Sequence, residues 1–270
     1  MQGTITVTRG ATATVHTYTA PNAGTFVTTH VIELASELIV IDAQYMLPFA
    51  REAAKYARDL NKPITRLYVS HTHPDHFFGA GEFGTEVAVY ALPEIKDLIE
   101  RNGDQQIAEG RSQLGDQVPE QATKPREVVE PGDEIIGGVR FEFRRVENAE
   151  SSSSLTIGLP DEDILIAQDL LFNNVHLWIA ERHFDGWAAN VKGYKQLPYQ
   201  RLLPGHGRPG GRELYDRVLE YLTFAEPALE KASDGEQLKK ALVERFPHYE
   251  GVILIDLENS LYLFPGATQA

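Results

Sequence analysis

Between Thr4 and Ala43 apolar and polar residues alternate or gather into short apolar runs. The stretch Thr14-Val15-His16-Thr17-Tyr18-Thr19 alternates, which predicts a strand, whereas Leu38-Ile39-Val40-Ile41 is a buried-type apolar run that ends at Asp42. The period then lengthens. Apolar residues from Leu47 to Leu60 recur at helical spacing, and Ile64 to Val69 reads as another strand, delivering the chain to Ser70 and His71. A second round predicts a strand at Val87 to Tyr90 and a helix from Pro93 to about Arg101. The polar stretch Gly103 to Pro125, with Gln105, Gln106, Gln113, Gln117 and Gln121, reads as loop and partial helix and suggests a lid. Strands resume at Val139 to Val146, Leu155 to Leu159 and Ile164 to Ala167, the last stopping just before Asp169. A helix around Trp187 to Leu197 and a short strand Arg201-Leu202-Leu203 lead to Pro204-Gly205-His206-Gly207.

Two strand-rich halves separated and flanked by helices predict an α+β fold, a four-layer αββα sandwich, over residues 1–210. From Glu213 the pattern turns helical, with segments at Leu214 to Leu229, Glu236 to Arg245 and Val252 to Leu263. Residues 211–270 are therefore expected to form a C-terminal helical extension packed on the first part, with a structural role.

The predicted strands share one property: polar, metal-ligating residues sit where they stop. His71-Thr72-His73-Pro74-Asp75-His76 places His71, His73, Asp75 and His76 in one short segment. In extended chain residues two apart point to the same side, so His71 and His73 can converge on one ion, while the following turn aims Asp75 and His76 elsewhere. The chain has no Cys, so a metal must be held by His, Asp and Glu, ligands that divalent zinc accepts. The balance of 25 basic against 39 acidic residues gives a net charge of −14, which disfavours nucleic acid and anionic lipid as partners. The first residues lack a basic and apolar leader, and no run approaches the roughly 18 apolar residues of a membrane span. The expected address is the cytoplasm. A small-molecule substrate is the expected partner, and a homodimer is compatible with the sequence.

These motifs, with Ile39-Val40-Ile41-Asp42, Ile166-Ala167-Gln168-Asp169 and Pro204-Gly205-His206-Gly207 in the same order, resemble the metallo-β-lactamase superfamily over roughly residues 25–210. The group includes glyoxalase-II-type thioesterases, acyl-homoserine lactonases and the β-lactamases. The resemblance implies that His71 and His73 serve one metal, that Asp75, His76 and His206 serve a second, and that Asp169 bridges them. It also makes Asp42 a support for the ligand loops. Where the family carries a third histidine for the first metal, this chain offers Glu147-Asn148-Ala149-Glu150-Ser151-Ser152-Ser153-Ser154, in which Glu150 is by position the candidate to replace it, the alternative being a solvated loop residue. With Glu150 as ligand, one or two zinc ions are expected, and manganese or iron becomes acceptable.

The implied function is a metallo-hydrolase in which a metal-bound hydroxide attacks an ester, lactone, thioester or β-lactam-like amide carbonyl, with Asp75 orienting the nucleophile or shuttling its proton. Two alternatives stay open: an iron-dependent oxidoreductase of the sulfur dioxygenase type, and a metal-binding protein of the same fold with an impaired first site. Tyr45 is expected near the mouth of the cleft, and His176 as a substrate contact or outer support. Trp178 and Trp187 read as core residues, His183 as exposed, and Phe77 and Phe78 as core or pocket wall.

Overall fold

A computed structural model describes residues 1–265. The first half builds β1 (Thr4–Arg9), β2 (Thr14–Thr19), β3 (Thr28–Glu33), β4 (Leu38–Ile41), α1 (Leu47–Asp59), β5 (Ile64–Tyr68), the single turn α2 (Pro74–Phe77), β6 (Ala88–Ala91), α3 (Pro93–Leu114) and β7 (Glu127–Val128). Its seven strands form one sheet in sequence order, antiparallel from β1 to β4 and parallel from β4 to β7. The second half supplies β8 (Gly132–Ile136), β9 (Val139–Glu147), β10 (Ser153–Leu159), β11 (Ile164–Asn173), α4 (Phe184–Tyr194) and β12 (Arg201–Gly207), whose five strands order as β12-β11-β10-β9-β8. The helices α5 (Glu213–Lys231), α6 (Gly235–Arg245) and α7 (Val252–Glu258) follow.

The layering follows from strand parity. In β11, Ile164 and Ile166 join a core shared with β4, β5 and α1, while Leu165 and Ala167 join a second core with α4 to α7. A strand buried on both faces has no polar alternation, which is why this segment reads as a continuous apolar run. Helices therefore cover the outer face of each sheet, the four-layer arrangement expected. The C-terminal helices pack through Leu214, Tyr215, Val218 and Leu222 onto the second sheet. No helix among the described residues is long and apolar enough to cross a membrane.

Several boundaries differ from the sequence pattern. Helix α3 does not stop near Arg101 but runs through the glutamine-rich stretch to Leu114. At Gly103 and Gly110 the helix lies close against its neighbours: a Cβ would lie 3.0 Å from Ala122 Cβ at the first and 3.1 Å from Phe78 at the second. Strand β11 continues past Asp169 to Asn173, so that residue lies inside the strand. Its parallel pairing with β12 is interrupted between Gln168 and Phe172. Such an irregularity re-aims a side chain that a regular ladder would point along the pleat. The helix within the histidine motif begins at Pro74, with proline filling the first-turn position that lacks an amide partner anyway. Helix α4 spans Phe184–Tyr194, starting and ending three residues before the expected Trp187 to Leu197.

Candidate metal centre

The loop after β5, the β9–β10 hairpin, the bulge of β11 and the end of β12 meet at one edge of the sandwich. His71, His73 and Glu150 each offer a ligand atom within 4.8 Å of the others, and so do Asp75, His76 and His206. Asp169 stands between these groups. Its Oδ1 lies 3.3 Å from His76 Nε2, and its Oδ2 lies 3.4 Å from His206 Nε2 and 3.9 Å from His71 Nε2. His71 Nε2 is also 3.5 Å from Glu150 Oε2, and His206 Nε2 is 3.3 Å from Asp75 Oδ2.

These separations are too long for good hydrogen bonds and too short for unrelated groups. Two ligands each about 2.1 Å from a zinc ion at a tetrahedral angle lie roughly 3.4 Å apart. Satisfaction of the polar atoms agrees. His71 Nε2, His76 Nε2, both Glu150 oxygens and Asp169 Oδ1 are buried without a hydrogen-bond partner. Glu150 Oε1 is 2.9 Å from His73 Nδ1, but without the alignment of a hydrogen bond. Buried polar atoms are ordinarily paired, so a concentration of unpaired lone pairs facing one another fits a divalent cation.

The remote edges of the imidazoles are fixed by the protein. Asp42 Oδ1 accepts from the Ser70 amide at 2.7 Å, and its Oδ2 accepts from Ser70 Oγ at 2.6 Å, from His76 Nδ1 at 2.6 Å and from Gln168 Nε2. Because its lone pairs are occupied, Asp42 acts on the cluster from behind. Having donated its proton to Asp42, Ser70 Oγ accepts from His71 Nδ1 at 2.9 Å, which leaves His71 Nε2 bare. His206 Nδ1 donates to the Thr25 carbonyl at 2.8 Å, and its ring stacks on Phe172 at 4.8 Å and 1°. Main chain from the first sheet reinforces this: Val27 forms a bridge with His206, and the Gly207 amide donates to Phe26 O at 2.9 Å.

Backbone strain gathers at the same place. Thr25, Asp42, Gln44 and Gln168 all have positive φ, a conformation rarely adopted outside glycine. Across the sheet Gly205 is required for a different reason, since a Cβ there would fall 1.7 Å from Asp169 Oδ1.

Burial and mutual charge set the protonation of these groups. Burial lowers His71 well below the ordinary histidine range, and the neighbouring His76 and His73 push the same way. Burial opposes charge on His73 and His206, but Glu150 raises the first to about 10 and Asp169 raises the second to about 10. Glu150 is raised by burial to about 7 with His73 opposing, whereas Asp169, despite burial, is held well below the carboxylate range by His76 and His206. A cluster of alternating cationic and anionic groups is what a metal-ligand set becomes when protons occupy the lone pairs.

Of the remaining candidates, Tyr45 is half-buried, packs on Phe78 at 5.4 Å and is raised by burial and by the charge of Asp75, which places it beside the cluster. His176 is placed elsewhere: it is buried, its Nδ1 lies 3.1 Å from Tyr221 Oη, and its ring packs on Tyr249 among the C-terminal helices. Trp187, Phe77 and Phe78 are core, and Trp178 is only partly buried. His183 is half-buried, facing the Ala149 carbonyl at 3.1 Å. Sequence reasoning missed Ser70, Thr25, Gln168 and also Glu181, whose Oε1 lies 3.8 Å from His73 Nε2. The positions of Ser70 and Gln168 beside ligand residues were the available signal; Thr25 contributes a main-chain carbonyl, which side-chain identity cannot reveal.

Comparison with known proteins agrees with the geometry. Residues 23–206 match the family model described as the metallo-beta-lactamase superfamily. The metallo-beta-lactamase from Pontibacter korlensis superposes with a TM-score of 0.63 at 18% identity, covering 82% of this chain and 99% of that one. FIM-1 from Pseudomonas aeruginosa, solved in its mono-zinc form, gives a TM-score of 0.58 at 16% identity, with 82% and 96% covered. The linear primary-alkylsulfatase of Pseudomonas sp. (strain ATCC 19151) is 24% identical over 227 residues, which is 70% of this chain and 43% of that protein. The chain thus spans under half the length of that curated relative. The extent of the family match and the shared fold lead to one conclusion: this chain belongs to the metallo-beta-lactamase superfamily.

Proposed function

We propose that the chain is a metal-dependent hydrolase of a small ester, thioester, lactone or β-lactam-like amide. The observation that supports this reading best is the pair of ligand groups joined through Asp169, with its buried lone pairs unpartnered. In this reading His71, His73 and Glu150 hold one ion, Asp75, His76 and His206 hold the second, and Asp169 serves both. Divalent ions at these positions would supply an activated water and polarise the oxygen of the group under attack. The protein's own residues then orient and exclude. His71 and His76 are sealed from solvent, while His73 and Asp75 each keep 20% of the side chain exposed, so substrate approaches from their side. Asp75 is the ligand-set carboxylate on that open side and is placed to orient the attacking water and accept its proton.

Glu150 adds a third carboxylate to Asp75 and Asp169, so the ligand charge offsets most of two divalent ions. Ions held by this set would acidify a water less than ions beside a third imidazole, and the donor set would accept zinc, manganese or iron. A second reading, sulfate-ester cleavage, is supported by the similarity to the protein named as a linear primary-alkylsulfatase.

Elemental analysis of purified protein alongside Glu150→Ala and His206→Ala, with a substrate panel covering the carbonyl classes and an alkyl sulfate, tests the proposal. Two metal equivalents in the parent, loss of one in each variant and loss of hydrolysis are expected. Unchanged metal content in both variants overturns the ligand assignment.

A further inference from the structure

The open side of the cluster has an aromatic border. The His73 ring meets Trp178 edge-on at 6.2 Å, and Trp178 meets Tyr262 edge-on at 5.6 Å. Trp178 lies with Glu150 and Glu181 around a recess too narrow for a water molecule, so its ring is held beside the ligands. Tyr262 lies in the turn Asn259–Leu263 that follows α7, where it is 60% exposed and its neighbour Leu261 49% exposed. Tyr45, on the Asp75 side, is close enough to Asp75 for that charge to act on it, and Tyr262 lies near it as well. The two cluster members that reach solvent, His73 and Asp75, are therefore flanked by Trp178, Tyr262 and Tyr45. Large apolar groups left in solvent beside a reactive centre mark a surface that gains by being covered.

The charges nearby restrict what covers it. Glu181 and Glu109 are the charged groups that act on Tyr262. An anionic group placed against that ring would meet both carboxylates, whereas an uncharged chain would meet none of this repulsion.

We propose that Trp178 and Tyr262 form a specificity-determining wall that receives an uncharged alkyl or acyl tail of the substrate. The polar end of that substrate lies at the His73 and Asp75 side of the cluster. The inference rests on the hydrolytic reading of the site for the orientation of the substrate, and it gives the C-terminal segment a part in substrate choice beyond packing.

Trp178 and Trp187 are the tryptophans of the chain, and Trp187 is buried, so the emission of Trp178 reports directly on the wall. The metal-loaded protein is titrated with decanoate, acetate and decanedioate while its fluorescence is followed. Decanoate is expected to shift or quench the emission saturably. Acetate lacks the tail and is expected to give no such change, and decanedioate, whose second carboxylate would approach Glu181 and Glu109, is expected to bind at least roughly tenfold more weakly. Tyr262→Ala should weaken decanoate binding roughly tenfold, Tyr262→Leu should restore most of it, and Trp178→Phe should abolish the signal. Tyr262 is exposed, so its truncation leaves the fold intact. Equal responses to acetate and decanoate, or an unchanged decanoate affinity in Tyr262→Ala, overturn the proposal. Because the readout is binding, a protein that binds decanoate in this pattern but hydrolyses nothing upholds the wall while defeating the hydrolase reading. Hydrolysis without discrimination between tails does the reverse.

Discussion

Gly205 lies directly beneath the carboxylate of Asp169, with no room between them for a methyl group. The bulge of β11 throws Asp169 toward β12, and the strand that receives it must be bare at that point. Gly205→Ala forces either strand or carboxylate to move, an overpacking that costs about 1–3 kcal/mol. A drop in Tm of roughly 2–4 °C per kcal/mol, with loss of metal even from folded protein, is the expected outcome in thermal scans and elemental analysis. Full metal content in Gly205→Ala would show that Asp169 is not placed by this contact.

Ser70 and Asp42 support the ligands to different extents, and their variants should separate. Ser70→Ala removes the hydroxyl between Asp42 and His71 Nδ1, costs about 1 kcal/mol in stability and weakens metal binding at the His71 side 10–100-fold. Asp42→Asn disturbs Ser70, His76 and Gln168 together, so both metal positions should weaken and Tm should fall further. Competition with a chromophoric chelator measures this, and identical effects of the two variants would contradict the arrangement.

Metal uptake should release protons. Without metal, His73 and His206 stay protonated up to about pH 10, and His76, despite burial, is raised well above the ordinary range by Asp169 and Asp75. Metal binding needs these imidazoles neutral, so at pH 8 each gives up as much as one proton and apparent affinity falls as pH falls. His71, already lowered, contributes none. The same raised values carry the opposite sign for metal-free stability: the contribution of His73 and His206 is full below about pH 6.5 and is lost as pH rises through about 10. Calorimetric titration in buffers of different ionisation enthalpy counts the protons, and a buffer-independent heat would refute the ligand set.

Chelation should lower thermal stability, because an ion bound only by the folded chain adds RT ln(1 + [L]/Kd), about 2.7 kcal/mol at a hundredfold excess over Kd. The shift should be smaller in Glu150→Ala than in the parent. An equal shift in both would mean that Glu150 takes no part in holding metal.

Much of this was legible because the chain packs four candidate ligand residues, three histidines and an aspartate, into one short segment and repeats the scheme of strand followed by polar group. The layer arrangement followed from runs such as Leu38 to Ile41 and Ile164 to Ala167, whose uniform apolarity reports burial on both faces. Glu150 was a candidate by its position after the strand ending near Val146, and the structure places it beside His71 and His73. The rest depended on tertiary contacts. The polar stretch from Gly103 shows no continuous helix in its pattern, because the close contacts of Gly103 with Ala122 and of Gly110 with Phe78 are not visible in residue type. His176 has the composition of a site residue, yet its neighbours Tyr221, from α5, and Tyr249, from the loop between α6 and α7, belong to a region about which the motif carries no information. The left-handed backbone at Gln168, which turns its amide toward Asp42, has no signature in residue type.

The bridge between Val27 and His206 fastens the first strands of the chain to its last. During synthesis the early histidines emerge well before β12 is made, so a partial chain offers an ion only an incomplete grip. With the proposed ligand set, complete metal acquisition would be deferred until the two halves have docked, and a chain truncated before His206 should be unable to retain both ions however well its first sheet forms.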